Sequence, residues 1–219
     1  MHQPRFTQQA KTVFENLGAR VIELSSMWQL YEALFCRSPD VTDLLNNSGS
    51  NVFASLQWLL LDNCVLTLCK LTDPANGHRN LTFEQLIKQA KESDPLFSVE
   101  KATDSLNELK DGLRKVRKVR NKAVAHLDLR TALRVAEGAP KLHSGIVPPI
   151  MRSTPLKMEA LLNFTGLHFG HPESAYADPI PCDSAGPYIL VRVLRKGHSV
   201  SEKLHTSGAV GETHDNALT

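Results

Sequence analysis

Apolar residues recur at alternating steps of three and four along most of this chain, and the runs are separated by turn and capping signals. After Pro4 and a capping Thr7, the series Ala10, Val13, Phe14, Leu17, Val21, Leu24, Trp28, Tyr31, Leu34 and Phe35 predicts a first helix of about seven turns. Ser38-Pro39-Asp40 marks its end, and the polar run Asn46-Asn47-Ser48-Gly49-Ser50 predicts a loop. Val52, Leu56, Leu59, Asn63, Leu66 and Lys70 restore the alternation, broadened by Phe53, Leu60 and Leu68, and place a second helix from about Asn51 to Leu71. Thr72-Asp73-Pro74-Ala75-Asn76-Gly77 ends it, because proline disfavours helical geometry in the residue before it and Asn-Gly is a turn pair.

Thr82 stands three residues before Gln85, a capping-box spacing, and Phe83, Leu86, Ile87 and Ala90 give a short third helix its apolar face, closed by Asp94-Pro95. A fourth helix starts from Ser98 as cap and runs at least to His126. Beyond Asp128 the pattern weakens. The segment to Pro155 reads as an ordered loop, Lys157 to Phe169 as a fifth helix crossed by Gly166, and Tyr188 to Leu194 as either strand or short helix. From Gly197 the apolar residues thin out. The expected organisation is an all-α bundle of four to five antiparallel helices over residues 1–196, with an irregular C-terminal part and a disordered tail over 197–219.

The fourth helix breaks its own rule at one position. Val99, Ala102, Leu106, Leu109, Leu113 and Val116 form a core-facing stripe whose next members are Arg120, Ala123 and Leu127. Arg120 thus occupies a place that calls for an apolar side chain, and an unpaired charge there would be costly. A carboxylate, a wet subunit interface or an anionic ligand must compensate it. Asp62 or Asp43 would serve as the acid of a purely structural pairing, and Asp62 and Asn63 sit within the apolar second helix where a buried polar contact to Arg120 is expected.

Charge sharpens this picture only locally. The net charge of +2 does not argue for nucleic-acid binding, but six of the nine residues from Arg114 to Lys122 are Lys or Arg. Lys115, Lys118 and Lys122 cluster opposite the apolar stripe, where they suit either a solvated face or an RNA backbone. Cys36, Cys64, Cys69 and Cys182 contain no CxxC pair, and the first three lie in apolar helical patterns, which reads as reduced core thiols in a cytoplasmic protein. The N-terminus has no apolar leader core, and WLLLDNCVLTLCKL, interrupted by Asp62, Asn63 and Lys70, reads as too polar and short for a membrane span. His168 and His171 form an i,i+3 pair, but with His78 and His143 they lack Cys or Glu partners at ligand spacing, so no metal site is expected. Phosphate-loop, dinucleotide-binding, nucleophile-elbow and HExxH motifs are absent from the sequence.

Arg120 and His126 are six positions apart, about 120° in azimuth and ~9 Å along an ideal helix. The Arg side chain leans away from a downstream residue. Convergence therefore needs a distorted turn at Ala123 to Ala125 or two helices meeting about a two-fold axis, and a symmetric dimer is the economical solution. Without that convergence, His126 reads as a histidine favoured by a helix C-terminus and Asn121 as a satisfied polar residue.

Arg120-Asn121 at the start and His126 at the end of RNKAVAH match the R-x4-6-H motif of HEPN domains. With CVLTLCKLTDP, NLTFEQLI and VRNKAVAHLD in successive helices, the chain from Phe6 to Leu129 resembles the abortive-infection AbiU-like branch of that superfamily. The resemblance implies a helical bundle, a homodimer and, in many members, metal-independent ribonuclease activity at a site shared across the dimer, without a cofactor. Arg120, Asn121 and His126 would then be the catalytic set, with Arg117, Lys118 and Lys122 on the RNA. The chemistry suits the residue types. A histidine with a pKa of ~6.5 exchanges protons with the 2′-hydroxyl or the leaving 5′-oxygen, and an arginine stabilises the charge on the pentacoordinate phosphate, leaving a 2′,3′-cyclic phosphate. The resemblance further implies a toxin or phage-defence role, with an antitoxin or nucleotidyltransferase as partner. A non-catalytic HEPN-like module that binds RNA, a nucleotide or a protein is the alternative.

Overall fold

Thr7 sets the first helix in place. Its hydroxyl accepts the Ala10 N–H at 3.2 Å and its carbonyl accepts the Lys11 N–H at 2.9 Å, satisfying donors that the helix leaves open. The computed structural model describes residues 4–76, 80–121, 147–177 and 186–208. These are all-α, with no strand among the described residues. The helices are α1 (Gln8–Phe35), α2 (Pro39–Thr72), α3 (Phe83–Ser93), α4 (Val99–Gly112), α5 (Arg114–Val119), α6 (Val147–His168) and α7 (Pro187–Gly208).

The chain forms two units. One comprises residues 1–29 and 58–180, the other residues 30–57 and 181–219. In the first, Ala10, Phe14, Leu17, Val21 and Leu24 of α1 are buried at the expected three-four spacing. Each such large apolar side chain contributes ~1.5–3 kcal/mol on burial. Thr82 caps α3 as expected, accepting the Gln85 N–H at 3.2 Å, and Phe83, Leu86, Ile87 and Ala90 are buried beneath it. α4 packs on α3 and on α6. Ser98 does occupy the cap of α4, but its side chain makes no capping hydrogen bond. The apolar stripe of the fourth helix is buried through Leu113, where one turn separates α4 from α5, and continues in Val116 and Val119.

Three expectations for the helices are corrected. The buried stripe of α2 is Leu61, Cys64, Val65, Leu68 and Thr72, whereas Leu59 of the anticipated stripe is 68% exposed and Asn63 and Lys70 lie at the surface. The helix also starts at Pro39, and Gly49 alone leaves helical geometry, at φ 156°. The stretch to Pro155 is not a loop: α6 begins at Val147, with Pro148 and Pro149 in its first turn, where a missing N–H costs no helical bond. Gly166, near its end, is needed for space, because a Cβ there would lie 3.0 Å from Cζ of Phe14. α6 then stops at the left-handed Gly170 (φ 77°), whose N–H reaches the Leu167 carbonyl at 3.1 Å.

In the second unit, Leu34, Val41 and Leu45 form the core, against which Leu190, Val191 and Leu194 pack. The ambiguous stretch Tyr188 to Leu194 is therefore helix, and α7 continues to Gly208, past the point where a tail was expected to begin. Arg37 lies over the Tyr188 ring at 4.3 Å from its centroid. Cys36, expected in a core, is exposed just beyond α1, whereas Cys64 and Cys69 are buried.

By length and composition α2 is long and apolar enough to cross a bilayer, with mean hydropathy 1.5 over its best window, of which 28% is buried. It is longer than the sequence suggested, and its C-terminal half supplies core side chains to the first unit.

Candidate functional site: the guanidinium pair at the end of the second helix

The C-terminus of α2 gathers two arginines from α5 and its end. A helix C-terminus carries orphan carbonyls and the negative end of the macrodipole, and here an acid, Asp73, follows directly. Cationic groups answer both. Arg117 donates through Nη2 to the Thr72 carbonyl at 2.9 Å and to the Thr72 hydroxyl at 2.6 Å, and through Nη1 to Oδ1 of Asp73. Arg120 donates through Nη1 to the other carboxylate oxygen, Oδ2, at 2.8 Å. One carboxylate thus holds two guanidiniums, and the three side chains are each about a quarter exposed.

The acid that compensates Arg120 is Asp73, rather than the anticipated Asp62 or Asp43, and Asn63 lines a neighbouring cleft instead of meeting the arginine. The spacing explains why Arg117 and Arg120 act together. Residues three apart share a helix face, so one acid at the end of α2 can meet both.

The two arginines are not equivalent. Arg117 spends both terminal nitrogens on Thr72 and Asp73. Arg120 donates through Nε to the Asn121 side-chain oxygen at 3.0 Å, and its Nη2 has no partner among the described residues. The backbone widens into a π turn at Arg120 and Asn121, a distortion that re-aims side chains and is frequent at functional sites. Lys118 is exposed on α5. His126 and Lys122 lie outside the described residues, as does the expected distorted turn at Ala123 to Ala125.

Cys69 sits beneath this pair. Burial pushes its thiol pKa up, the Arg120 and Arg117 charges pull it back, and Asp73 raises it again, so the net shift is upward. Burial alone pushes Cys64 up to about 12. Both behave as small apolar side chains.

Beside Asp73 opens a cleft of ≈ 620 Å³, lined by Arg20 and Glu23 of α1, by Asn63, Thr67, Lys70 and Leu71 of α2, and by Asp73, Asn80 and Leu81. On its α1 wall Arg20 and Glu23, one turn apart, pair with each other at 2.5 Å. Of the histidines weighed as metal ligands, His78 and His143 lie outside the described residues, and the other two have partners. His168 Nε2 meets Oδ2 of Asp94 at 2.7 Å, and the His171 ring lies against Phe6 and Phe14.

The sequence-based family model for AbiU2, of the HEPN class, matches residues 8–166. The chain belongs to the AbiU2 HEPN family. No curated protein and no solved structure matches it. In this HEPN chain the matched segment runs from the start of α1 almost to the end of α6 and contains Asp73, Arg117, Arg120, Asn121 and His126. The sequence reads Leu71-Thr72-Asp73-Pro74 as a helix stop, and the family resemblance leaves a supporting role for Asp73 open. The only local signal for their role was an acid following a helix C-terminus, where it needs a cation.

Proposed function

We propose that this HEPN protein is a metal-independent endoribonuclease of a toxin or phage-defence system, acting as a cytoplasmic homodimer. The observation that carries the reading is the state of Arg120: a guanidinium braced by Asp73 and Asn121 and still about a quarter exposed, in a chain of a family whose R-x4-6-H motif it begins. Arg120 would place its guanidinium on a phosphate oxygen as negative charge grows there. His126 would move the proton between the 2′-hydroxyl and the leaving oxygen. Asn121 orients the guanidinium, and Arg117 positions Asp73 by tying it to the end of α2. Lys118 and Lys122 would track the RNA backbone.

Such an activity needs restraint in the cell, by an antitoxin or nucleotidyltransferase partner. The test is expression of wild type, Arg120→Ala and His126→Ala. Growth inhibition and RNA loss by wild type alone, with helical content equal in all three, supports the nuclease. Equal toxicity of the variants refutes it. The cleft beside Asp73 favours a second reading, an RNA-binding module without turnover, which predicts RNA binding by all three proteins and cleavage by none.

A further inference from the structure

We infer that the cleft between α1 and the end of α2 is a nucleotide subsite for single-stranded RNA, in which Lys70 holds a phosphate and Asn63 and Asn80 read the edge of an unstacked base. This rests on the ribonuclease reading for its place beside the scissile phosphate, but its binding can be measured apart from cleavage.

The volume, ≈ 620 Å³, gives room for a nucleotide-sized ligand. Its polar groups are set by their own hydrogen bonds. Asn63 Oδ1 accepts from the Thr67 hydroxyl at 3.4 Å, which turns its amide NH2 outward as a donor. Asn80 Nδ2 donates to the Pro74 carbonyl at 3.2 Å, which leaves its Oδ1 as an acceptor. One donor and one acceptor complement the adjoining acceptor and donor on a Watson–Crick edge, an edge that only an unpaired base exposes. Leu71 and Leu81 add apolar surface for the face of the base.

Electrostatics favours an anion at one end. Lys70 is exposed and has no ion pair among the described residues. Asp73 is already held by two guanidiniums, so its charge does not oppose a phosphate, and Glu23 is occupied by Arg20. Because Asp73 belongs to both the cleft wall and the Arg120 anchor, a nucleotide in the cleft lies next to the phosphate that Arg120 would contact.

The experiment uses the full chain carrying His126→Ala, so that binding is read without turnover, and measures fluorescence anisotropy with labelled seven-nucleotide RNAs of A, C or U across a salt series. Added Lys70→Ala is expected to weaken all three RNAs alike and to lower the salt slope by about 1. Added Asn63→Ala narrows the differences among the three, and Asn63→Asp, near-isosteric and negatively charged, weakens all of them. Lys101→Ala on the surface of α4 serves as the unaffected control. Binding that is unchanged in the Lys70 and Asn63 variants, or changed equally by Lys101→Ala, overturns the subsite. Separately, absence of cleavage by the protein with native His126, together with intact cleft-dependent binding, overturns the nuclease reading and leaves the subsite standing.

Discussion

Arg120 and Asp73 are 47 positions apart in the chain, and Nη1 of one donates to Oδ2 of the other at 2.8 Å. The pair turns an arginine that breaks an apolar stripe into a fixed cation at the end of a helix. Removing the acid leaves two guanidiniums facing each other without the carboxylate they share. Asp73→Ala is therefore expected to lower unfolding free energy by about 2 kcal/mol, less than for a fully buried pair because the groups are partly hydrated. Asp73→Asn, which keeps the acceptor oxygen but not the charge, should cost less, and urea denaturation measures both. Arg117→Ala should destabilise more than Arg120→Ala, since Arg117 also closes the last carbonyl of α2.

Gly166 should resist even a methyl group. Alanine would normally gain ~1 kcal/mol in a helix, but Phe14 is held between Phe6 and His171 and cannot yield easily. Gly166→Ala is predicted to be net destabilising by about 1 kcal/mol in thermal unfolding, and a stabilised variant would show that Phe14 moves freely.

The first helices were legible in the sequence because their signals are local. Thr7 and Thr82 cap where spacing placed them, and the buried residues of α1 are those of its three-four series. The face of α2 was misassigned because WLLLDNCVLTLCKL is apolar on more than one side, so periodicity fits Leu59-Asn63-Leu66 as well as the buried Leu61-Val65-Leu68. Asn46 to Ser50 looked like a loop, yet burial of Val41 and Leu45 carries a helix up to Gly49, and the stretch before Pro155 is helical because the first-turn prolines of α6 cost it little. Val191-Arg192-Val193 alternates like a strand, but Val193 is 58% exposed and Val191 packs as part of a helix. At the site, Arg120 announced itself as a misplaced charge. Its partner did not, because no periodicity connects the end of α2 to a residue at the end of α5, three helices later.

Glu84 links α3 to α4 through Lys110 at 3.4 Å and meets Lys88 at 3.3 Å on its own helix. Partial burial works to raise its pKa, but hydrogen bonds and charge from Lys88 and Lys110 outweigh that and hold it below the ordinary value. A lowered folded-state pKa stabilises above the unfolded value and is lost as pH falls through the folded one. Wild type should therefore exceed Glu84→Gln in stability by a few tenths to about 1 kcal/mol at neutral pH. The difference should fade only below about pH 4.3, as urea midpoints across a pH series would show.

Thr82→Ala removes the acceptor for the Gln85 N–H and should cost ~1 kcal/mol, measured by chemical denaturation. Thr82→Ser keeps the oxygen and should recover most of it.

The central claim is that Arg120, braced by Asp73, works with His126 to cut RNA. The most direct measurement incubates purified wild type, Arg120→Ala and His126→Ala with total RNA in EDTA and analyses the fragment ends. Cleavage by wild type that leaves 2′,3′-cyclic phosphates, lowered ~10²- to 10⁴-fold in each variant, is the predicted result. Equal cleavage by all three proteins, or fragments bearing 3′-hydroxyl ends, would contradict it.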